Sequence, residues 1–338
     1  MNELNGSSVR RFQLVAFIFF SAFFTPLDAG ADDDPRRWLQ RMTEAVEFQN
    51  YQGTLVHING SVAGVMRIVH RVEDGRISER ITAQDGTPRE IIRNDDEVTC
   101  ILPDQMSVLV EKRDDRDRAK SPLRGRLPSP TTFNEAHYDL AFVMPGRAAG
   151  REAEVIAVRP RDSYRYGYRL WLDRETAMPL KSELWDDQGN VIEQILFAEI
   201  TLVDSIPASA TKPSLAMESY TWHRSGDAAE SGAQNDKTKW LAMDLPAGFE
   251  LIAARSKYSP GSKFPMEQLV YADGLALVSV FIEAGVAASE QAEGLSRIGA
   301  ANAYTTTLEG QLVTAVGEVP ARTVEMIALS VRPVDENL

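Results

Sequence analysis

The sequence predicts a mainly β protein: a large antiparallel half-barrel followed by a smaller α+β domain. Three observations carry this. Short runs rich in Val, Ile and Tyr recur between Tyr51 and Val203, divided by turn dipeptides such as Asn59-Gly60, Asp74-Gly75 and Asp85-Gly86. A single helical pattern precedes them. Past Asp204 the composition shifts to Pro, Ala, Ser and Gly, and a second set of strand patterns then ends in a helix.

The elements follow in order. Residues 1–31 read as a secretory signal peptide: Arg10 and Arg11 give a positive start, Leu14 to Phe24 an apolar run, and Ala29-Gly30-Ala31 a small-x-small cleavage pattern. That run falls short of the roughly 20 residues needed to span a bilayer. The mature chain is expected to begin near Asp32 as a soluble exported protein, and with no cysteine after the cleavage pattern, no lipid joins its new N-terminus. Asp34 as N-cap and Pro35 at the first helical position open a helix carrying Trp38, Leu39, Met42 and Val46 on one face.

From Tyr51 the period becomes that of strands, in antiparallel meander order: Tyr51 to Ile58, Val62 to Val72, Ile77 to Ala83, Arg89 to Arg93, Val98 to Leu102 and Met106 to Glu111. Lys112 to Pro130 is too polar to offset its ordering entropy and is expected to be a mobile loop. Strands resume at Tyr138 to Val143, Glu154 to Arg159, Tyr166 to Asp173, Leu180 to Asp186 and Val191 to Val203. About eleven strands are too many for a small flat sheet, so the sheet should curl into an incomplete barrel. The domain plan is therefore 32–205 for the half-barrel, 206–237 for a linker with a strand near Glu218 to His223, and 238–333 for the α+β domain.

Composition narrows function by exclusion. The net charge is −13, and a strongly acidic chain is a poor ligand for nucleic acid, which is held by Lys and Arg on phosphates. Cys100 is the only cysteine and lies in an apolar strand pattern, so no internal disulfide forms and packing alone must hold the exported chain, which fits a bacterial periplasmic protein. The histidines are His57, His70, His137 and His223, none at metal-ligand spacing. His57 and His70 could meet across their hairpin as a metal pair, though ordinary sheet positions explain them as well. There is no nucleophile elbow, phosphate loop or dinucleotide fingerprint. Most carboxylates sit in turns, where Asp has a backbone role. No catalytic residue, cofactor or metal is expected. Asn59-Gly60-Ser61 matches a glycosylation pattern that a tight turn explains better.

Two patterns suggest binding instead. The loop Lys112 to Arg126 holds seven basic residues against three acids, a solvated loop or an anion contact. Alternation sets Tyr166, Tyr168, Leu170 and Leu172 on one face of a strand and Trp171 on the other. That face is core in a closed barrel; in an open one it lines a groove for an acyl chain.

Several separated motifs carry a family resemblance. The Trp38-Leu39 helix followed by Tyr51-Gln52-Gly53-Thr54-Leu55-Val56, then Tyr168-Arg169-Leu170-Trp171-Leu172-Asp173 with Pro179-Leu180, Gln268-Leu269-Val270-Tyr271-Ala272-Asp273-Gly274-Leu275, and Gly317-Glu318-Val319-Pro320 together resemble the RseB/MucB family. The resemblance implies a half-barrel similar to lipoprotein carriers joined to a small C-terminal domain. It implies a periplasmic negative regulator of the sigma-E envelope stress response that binds the periplasmic part of a membrane anti-sigma factor and shields it from regulated proteolysis. Lipid or lipopolysaccharide would be the releasing signal, no catalysis is implied, and homo-oligomerisation is left open. The competing assignment is a periplasmic lipid or lipoprotein carrier. Within the second domain Arg255, Lys257 and Lys263 cluster where basic residues are sparse, ten Lys and Arg in all after Ser205. They are candidate contacts for lipid phosphates or for acidic residues of the partner.

Overall fold

The structure, a computed structural model, describes residues 34–112, 123, 127–128, 134–224, 238–258, 265–284 and 293–334. The proposed signal peptide, most of the basic loop and Lys263 lie outside these. Helix α1 (Pro35–Phe48) leads into β1 (Asn50–Asn59), β2 (Val62–Glu73), β3 (Arg76–Ala83), β4 (Glu90–Arg93), β5 (Glu97–Leu102) and β6 (Ser107–Lys112). After the basic segment come β7 (Tyr138–Phe142), β8 (Gly146–Ala148), β9 (Arg151–Pro160), β10 (Gly167–Asp173), β11 (Pro179–Trp185), β12 (Val191–Val203) and β13 (Thr221–Arg224).

These thirteen strands form one open sheet in the order β13-β6-β5-β4-β3-β2-β1-β12-β11-β10-β9-β7, with β8 also on β9. It is not a closed barrel. All neighbours are antiparallel except β13, which runs parallel to β6. First and last long strands are joined because β1 pairs β12 over its whole length, from Asn50↔Val203 to Asn59↔Glu193, with one bulge between Thr54 and Leu55. Gly53 stands beside that bulge for a steric reason: a Cβ there would lie 2.4 Å from the Glu199 carbonyl oxygen.

Alternation fixes which side of the sheet is which. Leu55, Ile68, Ile81, Ile195 and Phe197 share the inner face with Ala45 and Val46 of α1. Trp38, Leu39 and Met42, one turn earlier, pack on Ile156, Leu170 and Leu172. The helix thus lies along the concave side, and each large apolar side chain it buries contributes ~1.5–3 kcal/mol.

The outer face of β3 to β6 is covered as well, by residues expected to be linker. Met217 and Tyr220 pack on Ile101, Val108 and Val110. Glu90, buried on the same face, accepts hydrogen bonds from the Ser214 N–H at 3.0 Å and hydroxyl at 3.1 Å, while Arg71 and Arg80 donate to the Ile206 and Lys212 carbonyls. Residues 206–224 therefore run back over the half-barrel and end as its edge strand, in place of a free tether. The expected strand near Glu218 to His223 is β13.

The second set comprises β14 (Trp240–Ala242), β15 (Glu250–Tyr258), β16 (Pro265–Ala272), β17 (Leu277–Ala284), β18 (Gly294–Ile298), β19 (Ala301–Leu308), β20 (Gln311–Gly317), helix α2 (Ala321–Leu329) and β21 (Val331–Pro333). Six of them form a sheet ordered β15-β16-β17-β20-β19-β18, and β14 pairs β21 beside it. Val324, Ile327 and Ala328 of α2 close its core over Leu269, Tyr271, Val278, Val280 and Val313. Val331 is buried from β21, because the helix stops at Leu329.

Candidate ligand cavity and domain junction

Beyond the end of α1 the strands line a cavity of about 490 Å³ on the concave face. Leu55, Met66, Ile81, Ile91, Leu102 and Ile195 give it apolar walls, a size and lining suited to small organic ligands. The register explains the convergence: Leu55↔Met66, Met66↔Ala83 and Ile81↔Ile91 are cross-strand partners on one face. At its mouth Asp85, Thr87 and Arg89 are exposed, and Asp85 holds the turn by accepting from the Val65 N–H at 2.9 Å. His57 faces the cavity with its Nε2 2.5 Å from Glu193 Oε1. Cys100, half-buried, has its thiol pushed up by burial, with the nearby Arg89 opposing, so it stays protonated.

His57 and His70 do not meet. Their cross-strand partners are Gly64 and Tyr51, positions separated by roughly 20 Å of strand at 3.3 Å per residue. His70 is fully buried, stacked on the Tyr51 ring at 4.7 Å, with Nδ1 2.8 Å from Glu79 Oε1. Among the described residues no group of three His, Cys, Asp or Glu could hold a metal ion.

The other built site joins the two sheets. Arg165, in the loop between β9 and β10, is fully buried and donates to Asp273, to Asp162 and to the Ala247 carbonyl. Its guanidinium lies 5.0 Å from the centre of the Phe249 ring and 5.7 Å from that of Tyr138. Asp273 also accepts from the Tyr138 hydroxyl at 2.8 Å and from the Leu275 and Ala276 N–H groups at 2.9 and 2.7 Å. Burial first, then the Asp273 charge, drives the Tyr138 phenol far above its usual range, so its proton stays in that bond. Flanking bonds extend the seam: Asn302 Nδ2 donates to Tyr166 Oη at 2.9 Å, the Thr323 hydroxyl to the Tyr164 carbonyl at 2.8 Å, and the Ala300 N–H to Asn59 Oδ1 at 2.7 Å. Asn59 thus works as a turn residue that receives the second sheet. A Cβ on Gly299, whose φ is +60°, would sit 2.1 Å from that oxygen.

Comparison with known proteins decides the family. The MucB/RseB N-terminal domain model matches residues 34–215 and the C-terminal domain model residues 234–332. The chain belongs to the MucB/RseB family. The sigma factor AlgU regulatory protein MucB of Pseudomonas aeruginosa is 35% identical over 308 residues, covering 89% of this chain and 91% of that protein. The sigma-E factor regulatory protein RseB of Salmonella typhimurium is 27% identical over 326 residues, covering 94% and 95%. In the solved MucA/MucB complex of Pseudomonas aeruginosa, a chain 32% identical superposes with a TM-score of 0.70, over 89% of this chain and 99% of that one.

Within this MucB/RseB chain, the four residues expected to line a groove do not line the apolar cavity. Leu170 and Leu172 are fully buried because α1 lies over them. Tyr166 is buried with Leu184, Ile192 and Ala300, facing the second sheet, and half-buried Tyr168 packs beside it. The cavity lies on the other half of the face, on β1 to β5. Arg255 is exposed on β15, opposite Gln268 of β16, and Lys257 follows on the same strand opposite Met266; Lys263 lies outside the described residues. Of the cavity and junction residues, the sequence marked Asp85 and Asn59 only as turn positions, His57 only as a histidine of a hairpin, Tyr166 only as groove lining and Asp273 only within a family motif. Arg165 lies 108 residues before Asp273, a separation that no local pattern bridges.

Proposed function

We propose that this protein is a periplasmic negative regulator of a sigma-E type stress response. It binds the periplasmic part of a membrane anti-sigma factor and protects it from regulated proteolysis, and a lipid or lipopolysaccharide acyl chain entering the half-barrel is the releasing signal. The observation that carries the reading is the match of both family models, one after the other, together with the likeness to the MucB of a MucA/MucB complex. In this reading residues 1–31 are removed on export, the half-barrel senses the ligand, and the domain after the linker holds the partner. Arg255, Lys257 and Lys263 contact acidic partner residues or lipid phosphates; replacing all three with Ala should weaken partner binding, release by lipid, or both.

The cavity supports the lipid half of the proposal. Its walls are apolar and Arg89 stands at its mouth, where an anionic headgroup would be placed. Each methylene moved from water into such walls contributes ~0.8 kcal/mol. A cavity alone would equally serve a lipid or lipoprotein carrier. One experiment separates the two: the full mature chain is mixed with the periplasmic segment of its anti-sigma factor, and that segment's cleavage by the protease that starts its degradation is followed with and without lipid A. Protection that lipid A abolishes supports regulation. No protection, with capture of lipoproteins only, would make the chain a carrier.

A further inference from the structure

The cavity wall is polar in two places. One is the turn carrying Asp85, Thr87 and Arg89; the other is His57, the single polar side chain that a strand contributes to the wall among the described residues. Along the inner face of β1, Tyr51, Gly53 and Leu55 are buried, whereas the His57 side chain is 22% exposed, so the ring stands where the wall meets solvent. Its surroundings leave room on one side only. Its cross-strand partners are Ile195 on β12 and Gly64 on β2, and an added Cβ at Gly64 would meet nothing within 4 Å. The ring is held by Glu193, whose side chain is 8% exposed and whose carboxylate engages Nε2.

That pairing decides what the ring presents to the cavity. Nε2–H donates to the carboxylate, so in the neutral imidazole Nδ1 carries the lone pair and is an acceptor. Among the described residues nothing donates to Nδ1. An unsubstituted acyl chain drawn across the ring strips water from that nitrogen and returns no hydrogen bond, which is costly for a covered acceptor. A chain with a hydroxyl at this level restores the bond. We propose that His57 reads a hydroxyl on the ligand, so that the cavity takes a hydroxyacyl chain in preference to an unsubstituted one. This rests on the acyl-cavity reading above and names its ligand class. The wall also places the hydroxyl: His57 and exposed Arg89 stand at the open end, with buried Leu55 and Ile81 further in, so the hydroxyl lies within a few carbons of the ligand's anionic head. Glu193 is a positioning residue for the ring, and Gly64 keeps the space that the hydroxyl fills.

The test compares two ligands that differ by one oxygen. In the full mature protein, 3-hydroxytetradecanoate and tetradecanoate, each below its micelle concentration, compete with dansyl-undecanoic acid. The hydroxylated acid should bind about tenfold tighter, the equivalent of one acceptor left unsatisfied by the other. Gly64→Val keeps His57 and Glu193 and fills the space beside the ring, so it should bring the two affinities together. His57→Phe combined with Glu193→Gln, which leaves no carboxylate without its ring partner, should do the same. Equal affinities in the native protein, or a preference that survives both variants, overturns the proposal. The methyl esters of the two acids separate the sources of such a chain: a preference kept without the charge assigns the hydroxyl to an acyl chain linked within a larger lipid, and a preference confined to the free acids assigns it to a hydroxy fatty acid. An Ile91→Trp variant in the wall keeps the two levels apart. If both acids bind the native protein equally and this variant abolishes both, the acyl cavity stands and the hydroxyl contact falls. If neither acid binds, or Ile91→Trp leaves their binding intact, the acyl-cavity reading falls and the proposal with it.

Discussion

The cavity and the domain junction are both enclosed by the fold, yet they are built from opposite materials. Around the cavity, branched and linear aliphatic side chains from six strands meet with no polar partner required, and what they recognise is apolar volume. At the junction, Arg165, Asp273 and Tyr138 are desolvated together, with partly exposed Asp162 at their edge, and they share their hydrogen bonds. Apolar contact is non-directional and tolerates a change of occupant. A buried ion pair contributes little beyond what apolar side chains of equal size would, but it is severely destabilising when halved. The first region is therefore suited to exchange, and the second to holding one geometry.

Substitutions can break this contrast in decreasing order of effect. Arg165→Met leaves the Asp273 carboxylate buried without its cation and should cost ~3–5 kcal/mol in denaturant unfolding. Adding Asp273→Asn, which removes the unpaired charge but keeps an acceptor for the Leu275 and Ala276 N–H groups, should recover part of that loss; if the double variant is as unstable as the single, the pair is not the unit of the junction. Ile81→Ala, in the cavity wall, should fall at the low end of the ~2–5 kcal/mol range for such truncations, because the side chain already borders empty space. A loss above that range would mean that the wall is as rigid as the junction. Glu90→Ala, which frees the Ser214 N–H and hydroxyl, should cost ~1–2 kcal/mol and raise hydrogen exchange across 206–220, with the cavity unaffected.

The smallest effect is one of pH. Burial works to raise the Asp173 carboxyl, but the Arg151 guanidinium at 2.5 Å and the Thr176 N–H and hydroxyl outweigh it and hold the group below the usual carboxylate range. Its contribution is therefore complete above the ordinary carboxylate pKa of about 4 and is lost as pH falls through the lower folded value. Thermal unfolding from pH 5 down to pH 2 should show a steeper decline for the native chain than for Asp173→Asn; parallel curves would remove Asp173 from the acid response.

The half-barrel was legible in the sequence because its signals are local. Asn59-Gly60, Asp74-Gly75 and the period-2 runs between them specify a meander without any knowledge of distant residues, and Asp34-Pro35 marks where α1 begins. The groove expectation shows where locality ends: alternation placed Leu170 and Leu172 on one face, but which part of that face α1 covers depends on how a helix more than a hundred residues earlier crosses the sheet. The stretch after Asp204 looked like a tether because its Pro, Ala and Ser pattern carries no period, and its order comes from single anchors such as Ser214 on Glu90. Arg165 reads in sequence as one more surface arginine. Only the fold gives it Asp273.

Both ends of the open sheet bear on how such a protein avoids pairing with its neighbours. A long unpaired edge offers its N–H and C=O groups to any passing strand and seeds aggregation. Here one edge is β13, four residues long, with Arg224 set over Trp222; the other is interrupted, with Pro145 between β7 and β8. Neither margin presents a run long enough to template a neighbour. The described sheet can thus stay unclosed without offering either edge as a template for a neighbouring strand.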